Sequence, residues 1–199
     1  MAYYAARMSA GLFQAAGRLL RTLVVFTALV FGLVGGWHYW RLHRFDKEIA
    51  ASAQRHGLAP ALVSSLIWRE SRFDPGCHGP KKEIGLTQIT EAAAHEWAAA
   101  QSRSDLPRSD LWLPATNIEV GVWYLARAVR RWQPTRSDPL PFALAEYNAG
   151  RSNAMRWSNA CGADSARFLD SITYPSTRRY VADILKRYRG SVVLPPIKK

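Results

Sequence analysis

Residues 22–40 carry no formally charged side chain if His38 is neutral, and they are dense in apolar groups such as Leu23, Val25, Phe26, Leu29, Phe31 and Val34. A run of that length spans a bilayer as a helix. Arg18 and Arg21 precede it, and Trp37, Tyr39, Trp40 and Arg41 close it with the amphipathic belt of a membrane interface. A cleaved leader needs small residues soon after its apolar run, but His38, Tyr39, Trp40, Arg41 and Leu42 stand there, and Ala51-Ser52-Ala53 lies too far downstream. The segment therefore reads as an uncleaved anchor. Arg7, Arg18 and Arg21 before it are matched by Arg41, Arg44 and Lys47 after it, so charge does not orient it. The expected organisation is a short N-terminal segment (1–21), an anchor (22–40), one folded domain (41–190) and an extended tail (191–199) with Pro195 and Pro196.

Roughly 150 residues remain for the domain, enough for a single core. Its pattern is helical. Asp46 caps a short helix ending near Arg55 before Gly57, and Pro60 suits the first turn of the next. The stretch around Asp74-Pro75-Gly76 and Gly79-Pro80 is turn-rich, with room for a small irregular hairpin. Thr90 caps an alanine-rich helix to about Ala100, and residues 101–114 read as a polar loop. From Asn117, apolar residues Ile118, Val122, Leu125, Val129 and Trp132 recur at helical spacing. Further helices are expected from Asp138-Pro139 to Gly150 and over 152–157, 164–171 and 177–189. No strand-length alternation competes and no repeat appears, so the fold class is mostly α.

One residue breaks the helical pattern. At about 100° per residue, Glu70 falls about 80° from Leu62, inside the arc of Leu62, Val63, Leu66 and Ile67 where a hydrophobe belongs. Apolar surroundings raise a carboxyl pKa, which suits a general acid that must hold a proton near neutral pH. The competing reading is a helix-end glutamate paired with Arg69 or Arg72.

Net charge is +12 in 199 residues. Such a surface favours polyanions without choosing among them. Long basic runs and zinc-finger spacings are absent from the sequence, so nucleic acid is not the expected partner. Cys77 and Cys161 have no metal-ligand spacing with the histidines, and whether they bridge stays open.

Three short segments then fall in a fixed order: Glu70-Ser71, Gly85-Leu86-Thr87-Gln88 and Ala145-Glu146-Tyr147-Asn148-Ala149-Gly150. Tyr180-Val181 follows as a fourth. Each pair alone occurs by chance, but four in order do not. Across roughly residues 49–189 the set resembles the lytic transglycosylase domain of glycoside hydrolase family 23, related to goose-type lysozymes, and the resemblance implies a lysozyme-like helical fold.

By that resemblance Glu70 matches the catalytic acid and Ser71 its companion. Gly85 and Gln88 match a Gly-Leu-Met-Gln motif lining the sugar groove, Tyr147 and Asn148 a pair facing the same groove, and Tyr180 a tyrosine approaching the acid. Thr87 stands where the family has methionine, which implies a differently shaped subsite. Residues 77–84 lack the family's small hydroxyls, for which His78 or Glu83 are candidate substitutes. The implied reaction cleaves the β-1,4 bond between N-acetylmuramic acid and N-acetylglucosamine of peptidoglycan glycan strands, leaving 1,6-anhydromuramoyl ends, without cofactor or metal. Glu146 beside Tyr147 opens the alternative of lysozyme-type hydrolysis. A second alternative is a catalytically weak wall-binding scaffold of a secretion, pilus or conjugation apparatus. Since peptidoglycan lies outside the cytoplasmic membrane, the resemblance also implies an inner-membrane protein with one span and an extracytoplasmic domain.

Overall fold

The structure is a computed structural model that describes residues 2–103, 106–161 and 165–193. It divides into two units, Met1–Arg44 and Phe45–Lys199. The first unit is a single helix, α1 (Ala2–His43). By length and composition it is able to cross a membrane, and its apolar side chains from Leu19 to Trp40 stand exposed. The hydroxyls of Thr22 and Thr27 donate to the carbonyls of Arg18 and Leu23, one turn back. Their polar groups are thus satisfied within the helix.

In the second unit the described helices are α2 (Asp46–His56), α3 (Pro60–Ser71), α4 (Glu91–Ala100), α5 (Pro114–Trp132), α6 (Leu140–Ala149), α7 (Arg151–Cys161), α8 (Ser165–Ser171) and α9 (Pro175–Val193). A 3-10 turn at Arg108–Trp112 interrupts the expected polar loop. Proline fixes the start of α3, α5 and α9, where the missing N–H has no intrahelical partner to lose. Thr90 accepts from the Ala93 N–H to cap α4, and Gly57 closes α2 in the left-handed conformation at φ 70°. Asp46 lies in the first turn of α2 and not at its cap, which is Phe45. Helix α9 runs on through Ser191 to Val193, past the point where an extended tail was expected, and the rest of that tail, 194–199, lies outside the described residues.

Two apolar clusters meet along α5. In one, Leu62 and Leu66 of α3, Leu125 and Trp132 of α5, Phe142 of α6 and Val181 of α9 pack together, with Phe142 stacked 3.9 Å from Phe168. In the other, Ile84 and Ile89 of the loop after α3 pack with Trp97, Leu111, Val120 and Trp123. Tyr147 lies against both. Each large side chain contributes about 1.5–3 kcal/mol by leaving water, so the clusters hold the two halves of the domain as separate cores sharing one helix. Helix α2 is pinned to α5 through Glu119, whose carboxylate accepts from Ser52, meets Arg55 and bonds His56 Nε2 at 2.7 Å.

The loop between α3 and α4 has no named strand, but antiparallel bridges pair Ile84 with both His78 and Ile89. Gly79 N–H donates to Glu83 O, and Ile84 and Ile89 exchange both backbone hydrogen bonds. This is the small irregular hairpin.

Candidate active site

Leu62, Val63, Leu66 and Ile67 are all buried, and Glu70 extends their stripe by one turn to the edge of an open cleft of about 740 Å³. Burial pushes its carboxyl up to about 7. The Tyr180 hydroxyl and the Arg69 guanidinium pull the other way, and the Glu83 carboxylate adds to the rise. Tyr180 Oη donates to Glu70 Oε1 at 2.5 Å, which leaves Oε2 as the oxygen open to a ligand. Arg69 is shared between Asp183, at 3.3 Å, and the face of the Tyr180 ring. Burial, then the Glu70 carboxylate, hold the phenols of Tyr147 and Tyr180 well above their usual range, so both remain donors at any working pH.

Gln88, Tyr147, Asn148 and Tyr180 line the same cleft as Glu70. Gln88, at φ 50°, turns its amide back to donate to Cys77 O and Gly85 O, so it clamps the loop, with its side-chain oxygen set against Gly79. Asn148 Oδ1 accepts from Thr177 Oγ1, leaving its amide nitrogen as a donor.

Ser71, Gly85 and Thr87 do not line the cleft. Ser71 is buried, and its hydroxyl donates to Leu86 O at 2.8 Å, joining the end of α3 to the Gly-Leu segment. Gly85 has φ 74°, and a Cβ there would sit 2.5 Å from Asn117 Nδ2, so no other residue fits. Thr87 is fully buried: its N–H and hydroxyl both reach Asn117 Oδ1, at 2.9 and 2.7 Å. The expectation that Thr87 reshapes a sugar subsite is therefore corrected. Its hydroxyl finds a buried acceptor in Asn117, and the absent side chain of Gly121 makes the room, since a Cβ there would meet Thr87 Oγ1 at 2.4 Å.

The four sequence segments are hydrogen-bonded to one another. Ser71 bonds Leu86, Tyr147 Oη donates to Thr87 O, Thr177 bonds Asn148 and Tyr180 bonds Glu70. Thr177 was not singled out from sequence, although it sits one helical turn before Tyr180 on α9.

Glu146 is not in the cleft. It is buried between α5 and α6, where Oε1 pairs with Arg131 and Oε2 accepts from Trp132 Nε1 at 2.8 Å. With both oxygens engaged it cannot activate a water beside Glu70. Of the two loop candidates, Glu83 lines the cleft and His78 does not: its ring packs on Trp112 at 4.5 Å. Cys77 and Cys161 are not joined in a disulfide, and burial, with Asp74 and Glu70 nearby, pushes the Cys77 thiol up, away from the reactive thiolate.

The family described as the transglycosylase SLT domain matches residues 47–167. The chain is 32% identical over 171 residues to membrane-bound lytic murein transglycosylase F of Desulfosudis oleivorans, covering 81% of this chain and 36% of that protein. It is also 32% identical over 131 residues to the soluble lytic murein transglycosylase of Salmonella typhimurium, covering 64% of this chain and 20% of the relative. Among solved structures, the 70 kDa soluble lytic transglycosylase of Escherichia coli superposes with a TM-score of 0.66 at 25% identity, over 75% of this chain and 24% of that one. The chain thus spans well under half the length of these relatives. The helical fold is the lysozyme-like one, and the chain belongs to the SLT transglycosylase domain family.

Proposed function

We propose that the protein is a membrane-anchored peptidoglycan lytic transglycosylase, with Glu70 as the only acid and base of the reaction. The observation that carries this reading is a single carboxyl raised to about 7, with one oxygen tied to Tyr180 and the other open to the cleft. A carboxyl at that value is protonated in about half the molecules at neutral pH and is equally able to give or take a proton.

Protonated Glu70 donates to the glycosidic oxygen between N-acetylmuramic acid and N-acetylglucosamine. The bond to the muramoyl C1 breaks with its electron pair going to that oxygen. The muramoyl C6 hydroxyl then closes on C1, and its proton returns to the Glu70 carboxylate, leaving a 1,6-anhydro end. Ring closure within one sugar gains from proximity and needs no water. The positions of Gln88, Tyr147 and Asn148 on the cleft wall suit sugar contacts, while Ser71, Gly85 and Thr87 hold that wall in place behind it. The engagement of Glu146 by Arg131 and Trp132 removes the carboxylate that favoured hydrolysis.

In this reading α1 is a single span in the cytoplasmic membrane, residues 41–190 form the extracytoplasmic domain, and the excess of basic residues suits anionic wall polymer. A reporter that matures only in the cytoplasm, fused to the C-terminus, should stay dark. For the chemistry, the full chain in detergent is incubated with peptidoglycan and the muropeptides are weighed. Anhydro ends are expected, Glu70→Gln should form none, and products heavier by one water would refute transglycosylation.

A further inference from the structure

Positive charge grows at the muramoyl C1 as the glycosidic bond breaks, and a carboxylate near it would stabilise that charge. The cleft contains a second carboxylate. Glu83 lies on the hairpin that forms part of the cleft wall, and it is not a loose surface side chain. Its Oε2 accepts from the Lys81 N–H at 2.7 Å, and its backbone carbonyl accepts from Gly79 N–H. The side chain rests on Gly79, where a Cβ would meet Glu83 Oε2 at 2.3 Å and Gln88 Oε1 at 2.7 Å. Any residue other than glycine at 79 would therefore displace Glu83 from this position. One backbone donor on one oxygen fixes the carboxylate while leaving Oε1 unclaimed by that contact.

The charged and titratable groups around Glu70 are Arg69, Tyr180, Tyr147, Cys77 and Glu83, with Lys81 also on the cleft wall. Arg69 is engaged by Asp183 and Tyr180, and the two phenols stay neutral, so among the described residues Glu83 is the negative charge on the cleft wall that acts on the acid. We propose that Glu83 is a second acidic participant in this cleft, a fixed negative charge that stabilises the cationic sugar formed when Glu70 protonates the leaving oxygen. The inference rests on the reaction proposed above and adds no bond-making step to it: the proton cycles on Glu70, and the C6 oxygen supplies the electron pair that quenches C1. A charge so placed stabilises the transition state more than the neutral bound substrate, so it acts on kcat.

The test uses the full chain in detergent with Glu83→Gln, which can still accept from Lys81 N–H, and Glu83→Asp, which keeps the charge. Two readouts are taken. In the first, carbon-13 carboxyl NMR follows the Glu70 titration, assigned by its loss in Glu70→Gln, and needs no turnover. Glu83→Gln should lower the midpoint by roughly half a unit, the size expected of two charges several ångströms apart in a partly wetted cleft, and Glu83→Asp should restore most of it. In the second, release of anhydromuropeptides should fall at least about tenfold in kcat in Glu83→Gln, with KM changed less than about twofold. An unmoved midpoint, a kcat within about twofold of the parent, or a loss confined to KM overturns the inference. So do water-added products in the parent that vanish in Glu83→Gln, because Glu83 would then be a hydrolytic base. Coupled titration in a parent protein that releases no product would instead refute the proposed function.

Discussion

Glu70 should destabilise the folded protein at neutral pH, and by an amount that can be measured without any substrate. Its carboxyl rises from an ordinary 4.5 to about 7 on folding. Below about 4.5 the group is protonated both folded and unfolded and has no effect. Between 4.5 and 7 the unfolded chain releases a proton that the folded one keeps, so stability falls as pH rises, and above 7 the loss is complete. A shift of about 2.5 units at 1.36 kcal/mol each is a loss of about 3 kcal/mol. Glu70→Gln removes the charge while its amide oxygen still accepts from Tyr180, so the variant escapes that loss. For a domain of this size the difference corresponds to roughly 6–12 °C in Tm. Melting both proteins in detergent from pH 4 to pH 8 should give curves that coincide at pH 4 and separate progressively, with Glu70→Gln the more stable at pH 8. A constant gap, or a variant less stable at pH 8, would mean that burial does not raise this carboxyl.

Other perturbations separate chemistry from architecture. Tyr180→Phe removes the hydrogen bond that pulls Glu70 down, so the basic limb of the pH-activity profile should move up by about one unit while turnover falls; a downward move would refute the assignment of that bond. Asn117→Ala orphans the Thr87 N–H and the carbonyl of Leu111, while the Ile84 carbonyl keeps the Ile89 N–H, and at about 1–3 kcal/mol for each buried group it should cost at least about 2 kcal/mol in denaturant melts. Glu146→Gln leaves Arg131 without its counter-charge and should cost about 2 kcal/mol, with the proportion of anhydro products unchanged in muropeptide masses. A shift toward water-added products there would restore Glu146 to the reaction.

The helices were legible where local chemistry and tertiary use coincide. Pro60 starts α3, Thr90 caps α4 and Gly150 ends α6, and each does in the structure what its residue type favours. Asn117 is the instructive exception. Its side chain has cap chemistry, so the sequence suggests a helix start, yet α5 begins at Pro114 and Asn117 is spent inside the protein on Thr87, Ile84 and Leu111. Glu146 misled for a different reason. Neighbours on a helix point about 100° apart, so adjacency to Tyr147 in sequence placed it on another face, against α5 and out of the cleft. The position of Glu83 had no local signal at all, since a hairpin without periodicity takes its direction from the backbone contacts of Gly79 and Lys81.

The ring of contacts among the four segments explains why short, individually weak motifs specify a site together. Ser71 holds Leu86, the adjoining Thr87 carbonyl holds Tyr147, Asn148 beside it is held by Thr177, and Tyr180 one turn further on returns to Glu70. Each link fixes the partner that fixes the next, so the carboxyl is positioned by the whole circuit and not by α3 alone. The same circuit sets its acidity. Burial on an apolar stripe by itself would trap the proton, and a hydroxyl and a guanidinium by themselves would strip it; opposed, they leave the carboxyl at about 7. A group that must donate to a leaving oxygen and then recover a proton from a sugar hydroxyl loses least when neither state is strongly preferred at working pH. The misplaced charge on α3 is therefore best understood as half of a balance whose other half, Tyr180, lies 110 residues away in sequence and 2.5 Å away in space.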